Sequence, residues 1–466
     1  MPYWVVYIIV STIVLLNVVA FWRLFKKAGI NPWYSLIPIF KGIQILKIVD
    51  RPKWWLVLFF IPIINVFVWL GVLMDLTNAF GRRSGLDNFL VLVFPMFFIP
   101  FLAFSSDIEY LKRKSIEKPP LREWLDAIVY AIVAASVLRI LFLGAYSIPT
   151  SSMENTLLKG DYIFVSKMHY GPRMDVHPIS IPFVQKYIPG TKLKAYLSFF
   201  ELPYIRFSGY SSIKRRDVVV FNYPKESKFP IEHRENYIKR VYGLPGDSVE
   251  ISNANVFVNG KVIEAPTNAK WIYYVRTEGR LLNVDSLKDL GIDDVSIFGE
   301  LGDFQFSMTK KMAKEFKELP YVTVVSPVIR RANDFAEYTY PRNSIFEWNE
   351  DNFGPLFIPK KGSSIKMNSL SYILYKDCIE QHEGNDVSFE GNKIVINGKV
   401  ESNYTFKKDY YFVLGDNRHK SLDSRFWGFV PEDHIIGKAS FVWFSIRNDR
   451  GGNRNVRWSR LFKKIR

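Results

Sequence analysis

Four apolar runs in the first 145 residues constrain the fold of this chain more than any other feature. Segments 3–21 and 54–74 carry no charged residue, whereas 89–104 is shorter and contains Pro95 and Pro100. Segment 124–145 carries Asp126 and Arg139, each placed where a long side chain could reach a membrane interface. Because a helix needs roughly 20 apolar residues to cross the hydrocarbon core, the sequence predicts about three membrane helices in 1–104 and a last one at 124–145.

The basic residues predict how these helices are oriented. Segments 22–53 and 105–123 are rich in Lys and Arg, whereas 75–88 has only Arg82 and Arg83. By the positive-inside rule, 105–123 is a basic cytoplasmic loop and everything after residue 146 lies outside. Segment 3–21 has no basic residues before it, so we expect it to be retained rather than cleaved. We assign the net charge of +17 to contact with an anionic membrane surface, and not to nucleic acid.

After residue 146 the pattern changes to short β-strands. Runs such as "DVVVFNYP", "VEISNANVFVNGKVIE", "DYYFVLGD" and "GKASFVWFSI" are rich in β-branched and aromatic residues, and two Asn-Gly pairs indicate hairpins. We therefore predict a mainly β domain in two parts, 146–264 and 386–446, around an α+β insertion at 265–385 with a helical piece at 307–319. Segment 447–466 is a basic tail, for which lipid contact and simple solvation are both open.

Few residues could bind a metal or a cofactor. Cys378 is the one cysteine, so a disulfide within the chain or a cysteine-rich metal site is impossible. The six histidines show no metal-binding spacing and accompany no GxSxG elbow, so we interpret them as structural or solvated. We expect neither a metal nor any other cofactor.

Three stretches could carry catalytic chemistry. The segment 146–161, "YSIPTSSMENTLLKGD", places Ser147, Thr150, Ser151 and Ser152 within six positions just after the last apolar run. Lys239 lies in a predicted strand, where burial would lower its pKa and make it a usable base, although an isolated lysine is more often a surface residue on an edge strand. The third stretch, 414–439, contains Ser421, Asp423 and Arg425, and a purely structural Asp–Arg pair is the alternative there.

Together these stretches resemble the bacterial type I signal peptidases, which are membrane-anchored Ser–Lys endopeptidases. Four motifs occur in the family's order: "IPTSSMENTLLKGDYIFVSK" (148–167), "RRDVVVFNYP" (215–224), "YIKRVYGLPGD" (237–247) and "GDNRHKSLDSRFWGFVPE" (415–432). The resemblance implies membrane helices followed by the family's mainly β catalytic fold.

The resemblance also implies a role for each matching residue. Ser152 matches the nucleophile, Lys239 the general base, and Ser421 the residue that orients the base. Thr150 matches the hydroxyl that completes the oxyanion hole with the N–H of Ser152. Asp423 and Arg425 match a structural ion pair, and the substrate-binding positions are Tyr146, Ile148, Leu157, Tyr237 and Ile238.

The activity implied is cleavage of signal peptides from exported preproteins after Ala-x-Ala, at the outer face of the bacterial plasma (inner) membrane. The partners implied are signal peptides, the phospholipid membrane and, as a further candidate, the secretion translocon. This sequence departs from the family at Asn155, where a proline is usual, and in the number of its predicted helices. The resemblance assigns no role to the N-terminal region or to 265–385.

Two other classes of function are open at this stage. One is a membrane-tethered binding protein that keeps the fold without turnover, against which the presence of every expected catalytic residue argues. The other is a Ser–Lys protease of the self-cleaving repressor type, which the predicted membrane helices and the lack of a DNA-reading module disfavour.

Overall fold

A computed structural model describes most of the chain. The described residues are 3–53, 55–59, 64–111, 135, 138–139, 141–177, 184–196, 198, 201–278, 282, 287, 292, 295–297, 302–391, 393–448 and 454–466. The chain divides into two compact units, Met1–Leu138 and Arg139–Arg466, which are described separately below.

The described part of the first unit is helical. Its core is a cluster of apolar side chains such as Phe25, Leu46, Leu73 and Leu102. Its α-helices are α1 (Tyr3–Lys27), α2 (Pro38–Ile48), α3 (Trp55–Leu58), α4 (Ile64–Ala79), α5 (Gly85–Val93) and α6 (Pro95–Phe104).

The apolar runs correspond to these helices only in part. Helix α1 covers the predicted 3–21, and α3 and α4 fall on 54–74. The prediction of one helix at 89–104 was wrong, because the chain leaves the helical conformation at Phe94 and restarts at Pro95. Proline disfavours a helical conformation in the residue before it and has no N–H to continue the ladder.

The described residues do not confirm the expected membrane helices. Among the residues described, no helix is both long enough and apolar enough to span a bilayer. Most of the predicted helix 124–145 lies outside the described residues. Its predicted end was wrong, since strand β1 (Leu143–Ser147) already begins there and pairs along its full length with β2 (Asp161–Ser166).

The main sheet of the second unit positions the residues discussed below. It has nine strands, and its central path runs in the order β1–β2–β20–β3–β4–β18–β19. The remaining strands of this path are β3 (Val218–Asn222), β4 (Asn236–Gly243), β18 (Tyr410–Leu414), β19 (Val430–Pro431) and β20 (Ile435–Asn448). One apolar cluster contains Ile163, Val218 and Val220, and a second contains Val219 and Phe221, as expected when successive strand residues point to opposite faces.

Smaller sheets and helices complete this unit. One sheet has the order β11–β8–β10–β9 and another the order β12–β5–β6–β7. Their strands are β5 (Ser248–Ser252), β6 (Asn255–Val258), β7 (Lys261–Ile263), β8 (Lys270–Thr277), β9 (Val295–Ile297), β10 (Asp303–Thr309), β11 (Val322–Pro327) and β12 (Phe353–Phe357). The other strands are β13 (Ser364–Lys366), β14 (Val387–Glu390), β15 (Lys393–Ile396), β16 (Lys399–Val400) and β17 (Asn403–Thr405), and the helices are α7 (Lys310–Lys317), α8 (Ser369–Asp377) and α9 (Ser424–Trp427).

The predicted insertion 265–385 is not a separate body. The insertion contributes strand β12, which pairs with β5 of the first part of the predicted β domain (146–264). It also contributes β13, which pairs with β17 of the second part (386–446). The helical piece predicted at 307–319 begins only at Lys310, because Ser307–Thr309 pair with β8 and the Thr309 side chain caps the helix. The two predicted Asn-Gly hairpins are confirmed, with positive φ at Asn259 and Asn397.

The basic tail is neither wholly solvated nor separate from the fold. Strands β21 (Arg454–Val456) and β22 (Lys463–Lys464) both pair with β20. Arg460 is buried and donates to the Asp161 carboxylate, with Nη2 to Oδ2 at 2.5 Å. Of the two interpretations left open for the tail, simple solvation does not fit the described residues 454–466, and lipid contact stays a prediction.

Candidate active site

The structure brings Ser152 and Lys239 into direct contact. The Lys239 Nζ donates to Ser152 Oγ at 2.8 Å, and both side chains are buried, with exposed fractions of 4% and 7%. Nζ also donates to the carbonyl of Ile238 at 2.8 Å. A serine hydroxyl and a lysine amine at this distance can exchange a proton, provided that the amine is neutral.

The position of Lys239 in the sheet determines its basicity. Strand β4 pairs with β3 on one side, and with β18 on the other only from Arg240 onward, so Lys239 lies on a stretch with one edge unpaired among the described residues. Its side chain is nevertheless buried, so the alternative of a surface lysine was wrong. Burial lowers the pKa of Lys239 from 10.5 to about 8, although the nearby Asp423 and Asp416 oppose the shift. The neutral amine is therefore well populated near pH 8.

Ser152 lies in a tight turn at residues 151–156, called the nucleophile turn below because Ser152 is the predicted nucleophile. The backbone of this turn is held by Asn417. The N–H of Asn417 donates to the Ser152 carbonyl at 3.1 Å, and the Asn417 side chain donates to the Ser151 carbonyl at 3.2 Å. Asn155 has a φ of 69°, a left-handed conformation that Asn tolerates. Proline is locked near a φ of −65°, so this turn could not hold the proline that is usual in the family at this position.

Two of the other predicted residues flank the dyad without touching Lys239. Thr150 precedes the nucleophile turn and is exposed, so its hydroxyl can meet a bound molecule. Ser421 is buried beside Gly415, but within the described residues its hydroxyl forms no hydrogen bond of normal geometry, and none joins it to Lys239. It does lie near enough to Asp423 to help keep that carboxylate ionised.

The predicted ion pair between Asp423 and Arg425 is present and fully buried. Arg425 Nε and Nη2 each donate to the carboxylate at 2.9 Å. Burial alone would raise the pKa of Asp423, but the Arg425 guanidinium holds it below its usual value. The same carboxylate accepts from the N–H of Gly415 at 3.0 Å, so the pair braces the loop beside the dyad.

A second buried ion pair was missed by sequence reasoning. Arg240, which follows Lys239, donates from Nε and Nη2 to Asp416 at 2.8 and 2.6 Å. The Thr156 hydroxyl donates to the same carboxylate at 2.6 Å. Asp416 thus joins β4 to the turn that carries Ser152. The one signal in the sequence was the Gly-Asp-Asn of the fourth motif, which by itself indicates only a turn.

The insertion supplies two further supports that the sequence did not indicate. Lys270 of β8 is buried 3.5 Å from the carboxylate of Glu154, two residues after the nucleophile. His419 Nε2 lies 2.8 Å from Asp351, another residue of the insertion. The region 265–385 therefore packs against both the nucleophile turn and the loop of Ser421, which local sequence patterns could not reveal.

The predicted substrate-binding residues fall into two groups. Tyr146, Ile148, Leu157 and Ile238 belong to one apolar cluster, together with Met153 of the nucleophile turn. Tyr237 lies instead in the cluster on the opposite face of the sheet, where it stacks on Tyr223 at 4.6 Å. Its ring centre is nevertheless 5.5 Å from Lys239 Nζ, so it borders the base rather than the apolar cluster.

Comparison with known proteins finds two families that match parts of the chain. Residues 121–298 and 398–444 match the family described as signal peptidase, peptidase S26. These ranges include Ser152, Lys239, Ser421 and the Asp423–Arg425 pair. Residues 33–113 match a family of unknown function, DUF5684.

Curated proteins with the name signal peptidase I are similar over most of the chain. That of Buchnera aphidicola subsp. Baizongia pistaciae is 26% identical over 353 residues, covering 76% of this chain and 84% of its own length. That of Rickettsia typhi is 27% identical over 362 residues, which is 74% of this chain and 94% of the relative. That of Buchnera aphidicola subsp. Schizaphis graminum is 28% identical over 301 residues, or 64% of this chain and 67% of the relative.

Proposed function

The chain belongs to the signal peptidase family, peptidase S26, and we propose that this signal peptidase cuts its substrates with a Ser152 nucleophile and a Lys239 general base. The observation that supports the dyad most strongly is the 2.8 Å contact between Lys239 Nζ and Ser152 Oγ in a buried setting.

The proposed reaction begins with proton transfer within this pair. Neutral Lys239 takes the proton of Ser152 as Oγ attacks the scissile carbonyl carbon, and the new C–O bond gives a tetrahedral oxyanion. The lysine then gives the proton to the departing amine, which leaves an acyl-enzyme on Ser152. A water molecule, activated by the same amine, hydrolyses this ester and regenerates the serine hydroxyl.

Thr150 and Ser152 form the proposed oxyanion hole. The Thr150 hydroxyl and the N–H of Ser152 would donate to the developing oxyanion, where a single donor is typically worth about 3 kcal/mol. Thr150 is exposed just before the nucleophile turn, so its side chain is accessible to a bound substrate. Ser421, buried beside the dyad, is the proposed residue that orients the lysine once substrate is bound.

The sheet offers two free backbone edges for an extended substrate. Within the described residues, β1 pairs only with β2, and β4 pairs with β18 only from Arg240 onward. A substrate could therefore add as a strand between 146–150 and 236–239. The apolar cluster of Ile148, Leu157 and Ile238 would line shallow pockets, which favour small side chains and hence Ala-x-Ala before the cut.

The site of action that we propose is the outer face of the bacterial plasma (inner) membrane. The basis is the apolar runs of the first 145 residues and the Lys- and Arg-rich segments between them, which favour a multi-pass protein with residues after 146 outside. The expected substrates are signal peptides of exported preproteins. The phospholipid membrane and the secretion translocon are the further partners proposed.

Mutation of the dyad tests this function directly. The full chain, purified in detergent, would be incubated with a preprotein that carries Ala-x-Ala before its cleavage site. Ser152→Ala and Lys239→Ala should each abolish product, whereas Ser151→Ala and Lys261→Ala should cut at near wild-type rates. Full activity of either dyad variant would refute the proposed roles, and a wild type that binds signal peptide without cutting it would favour a binding protein.

A further inference from the structure

A basic cavity lies apart from the catalytic dyad in the second unit. It has a volume of about 720 Å³ and is lined by residues of the hairpin β6–β7, by Trp271 of β8 and by the first turns of α7. Four cations line it, Lys310, Lys311, Lys314 and Arg418, against a single carboxylate, Glu264. None of these residues has a part in the proposed cleavage reaction.

Arg418 differs from the other buried arginines described in this unit. Arg240, Arg425 and Arg460 each pair with a buried aspartate. Arg418 is only 3% exposed, yet within the described residues no carboxylate lies within ion-pair distance of it, and its Nε has no hydrogen-bond acceptor.

The remaining contacts of Arg418 leave its charge uncompensated. Nη2 donates to the Tyr242 hydroxyl, and the guanidinium lies 4.8 Å from the Tyr242 ring centre and 5.9 Å from that of Trp271. Aromatic faces attract a cation but do not neutralise it. A buried cation without an anionic partner is costly, so an anion in this cavity would supply what the described residues do not.

The rest of the lining fits an anion with more than one negative charge. Lys310 and Lys311 open helix α7, whose N-terminal end carries a partial positive charge, and Lys314 follows one turn later. Lys310 Nζ lies 5.1 Å from the ring centre of Trp271, the same ring that the Arg418 guanidinium approaches. An arginine fork with several lysines at a helix N-terminus matches the charge and the oxygen geometry of a phosphate group.

We propose that this cavity binds a phosphate group, either as free phosphate or as a phosphorylated lipid headgroup. Arg418 would contact it directly, with Lys310 and Lys314 completing the charge. The occupant would lie next to the catalytic loop, because Asn417 donates to the Ser152 carbonyl and the Arg418 carbonyl accepts from Arg425. Any effect on cleavage rests on the proposed function, whereas phosphate binding does not.

Thermal unfolding of the full chain in zwitterionic detergent tests the site without reference to activity. Inorganic phosphate would be titrated to 20 mM with sodium chloride adjusted to keep the ionic strength constant. We expect phosphate to raise the Tm of the wild type by several degrees. The double variant Lys310→Gln/Lys314→Gln should lose this shift, whereas Lys317→Gln/Lys399→Gln, which removes two exposed lysines outside the cavity, should keep it.

Nanodiscs distinguish the two sources of phosphate. With a lipid occupant, discs containing phosphatidic acid should raise the wild-type Tm above that in phosphatidylcholine alone, and added phosphate should then have no effect. With free phosphate as the occupant, phosphate should raise the Tm equally in both discs. The proposal fails if phosphate shifts no Tm, if the double variant responds like the wild type, or if glutamate at the same ionic strength gives the same shift.

Discussion

Lys239 Nζ lies 2.8 Å from Ser152 Oγ, although the two residues are 87 positions apart in the sequence. The contact is made by a strand that pairs with β3 at Lys239 and with β18 from Arg240 onward, and by a turn whose carbonyl groups accept from Asn417. Two rigid elements therefore fix the distance before any substrate binds. Because the lysine is buried in the same arrangement, one geometry sets both its position and its basicity.

The activity should depend on pH through Lys239. Only the neutral amine can accept the serine proton, and burial lowers its pKa to about 8. We expect kcat/KM for preprotein cleavage to fall about tenfold per pH unit below 8 and to level off above it. A pH–rate profile of the full chain measures this, and a profile that keeps rising to pH 10 would show that the base has the basicity of an exposed lysine.

The same shift predicts how stability changes when the lysine is removed. Folding favours the neutral amine, so the charged form of Lys239 destabilises the folded state as pH falls from 10.5 through 8. Lys239→Met should therefore be inactive but, at pH 7, at least as heat-stable as the wild type. A large drop in Tm for this variant would instead assign the lysine a structural role.

The sequence predicted those parts of the site that lie in contiguous motifs. Ser152, Lys239 and the Asp423–Arg425 pair stand in short stretches with recognisable neighbours, and the structure places them together. The strands around them were predictable from their β-branched and aromatic composition, because such side chains suit a pleated, half-buried surface.

The supports that reach across the chain were not predictable. Lys270 contacts Glu154 and Asp351 contacts His419, both from a region without any motif. Nothing in the sequence around Lys270 or Asp351 distinguishes them from an ordinary surface lysine or aspartate. The Arg240–Asp416 pair spans 176 positions. Such contacts depend on which strands become neighbours, which hydrophobic periodicity does not specify.

Thr150 should contribute to the chemical step and not to folding. Its side chain is exposed, so Thr150→Val should leave the Tm nearly unchanged. Loss of one oxyanion donor should lower kcat by about 10²–10³ with little change in KM, and Thr150→Ser should retain most of the activity. Steady-state kinetics on a peptide substrate measure the difference. Equal activity of the Val and wild-type enzymes would remove Thr150 from the oxyanion hole.

Gly415 should tolerate no side chain. A Cβ atom there would lie 2.1 Å from Ser421 Oγ and 2.6 Å from the Ser152 carbonyl oxygen, closer than atoms can approach. Gly415→Ala must therefore displace the nucleophile turn or Ser421, and we expect cleavage to fall at least about a hundredfold. Gly260→Ala is the control for the effect on activity of placing an alanine at a turn, because no atom lies within 4 Å of the added Cβ there. Comparable activity of the two variants would contradict this expectation.

Lys270 should support catalysis from within the insertion. It is buried and pairs with Glu154, two residues after Ser152. Lys270→Met leaves the partly buried carboxylate of Glu154 without this partner, so the nucleophile turn should loosen and kcat should fall by about tenfold or more. Lys261→Met, on an exposed strand, is the matched control. If both variants cut at the wild-type rate, the insertion does not position the nucleophile.

The apolar cluster beside the dyad should determine which residues are accepted before the cut. Ile148 and Ile238 both belong to it, and Ile238 lies next to the catalytic lysine. Replacing either with alanine removes volume from the proposed pockets, so cleavage after valine or leucine should improve relative to cleavage after alanine. A pocket that changes by one or two methylene groups alters such discrimination by about tenfold or more.

Val262→Ala, at an exposed apolar position on β7, should leave the ratio of kcat/KM values unchanged. An unaltered ratio in both Ile148→Ala and Ile238→Ala would mean that the substrate side chains bind elsewhere, because these residues lie in the two segments, 146–150 and 236–239, between which the substrate strand is proposed to lie.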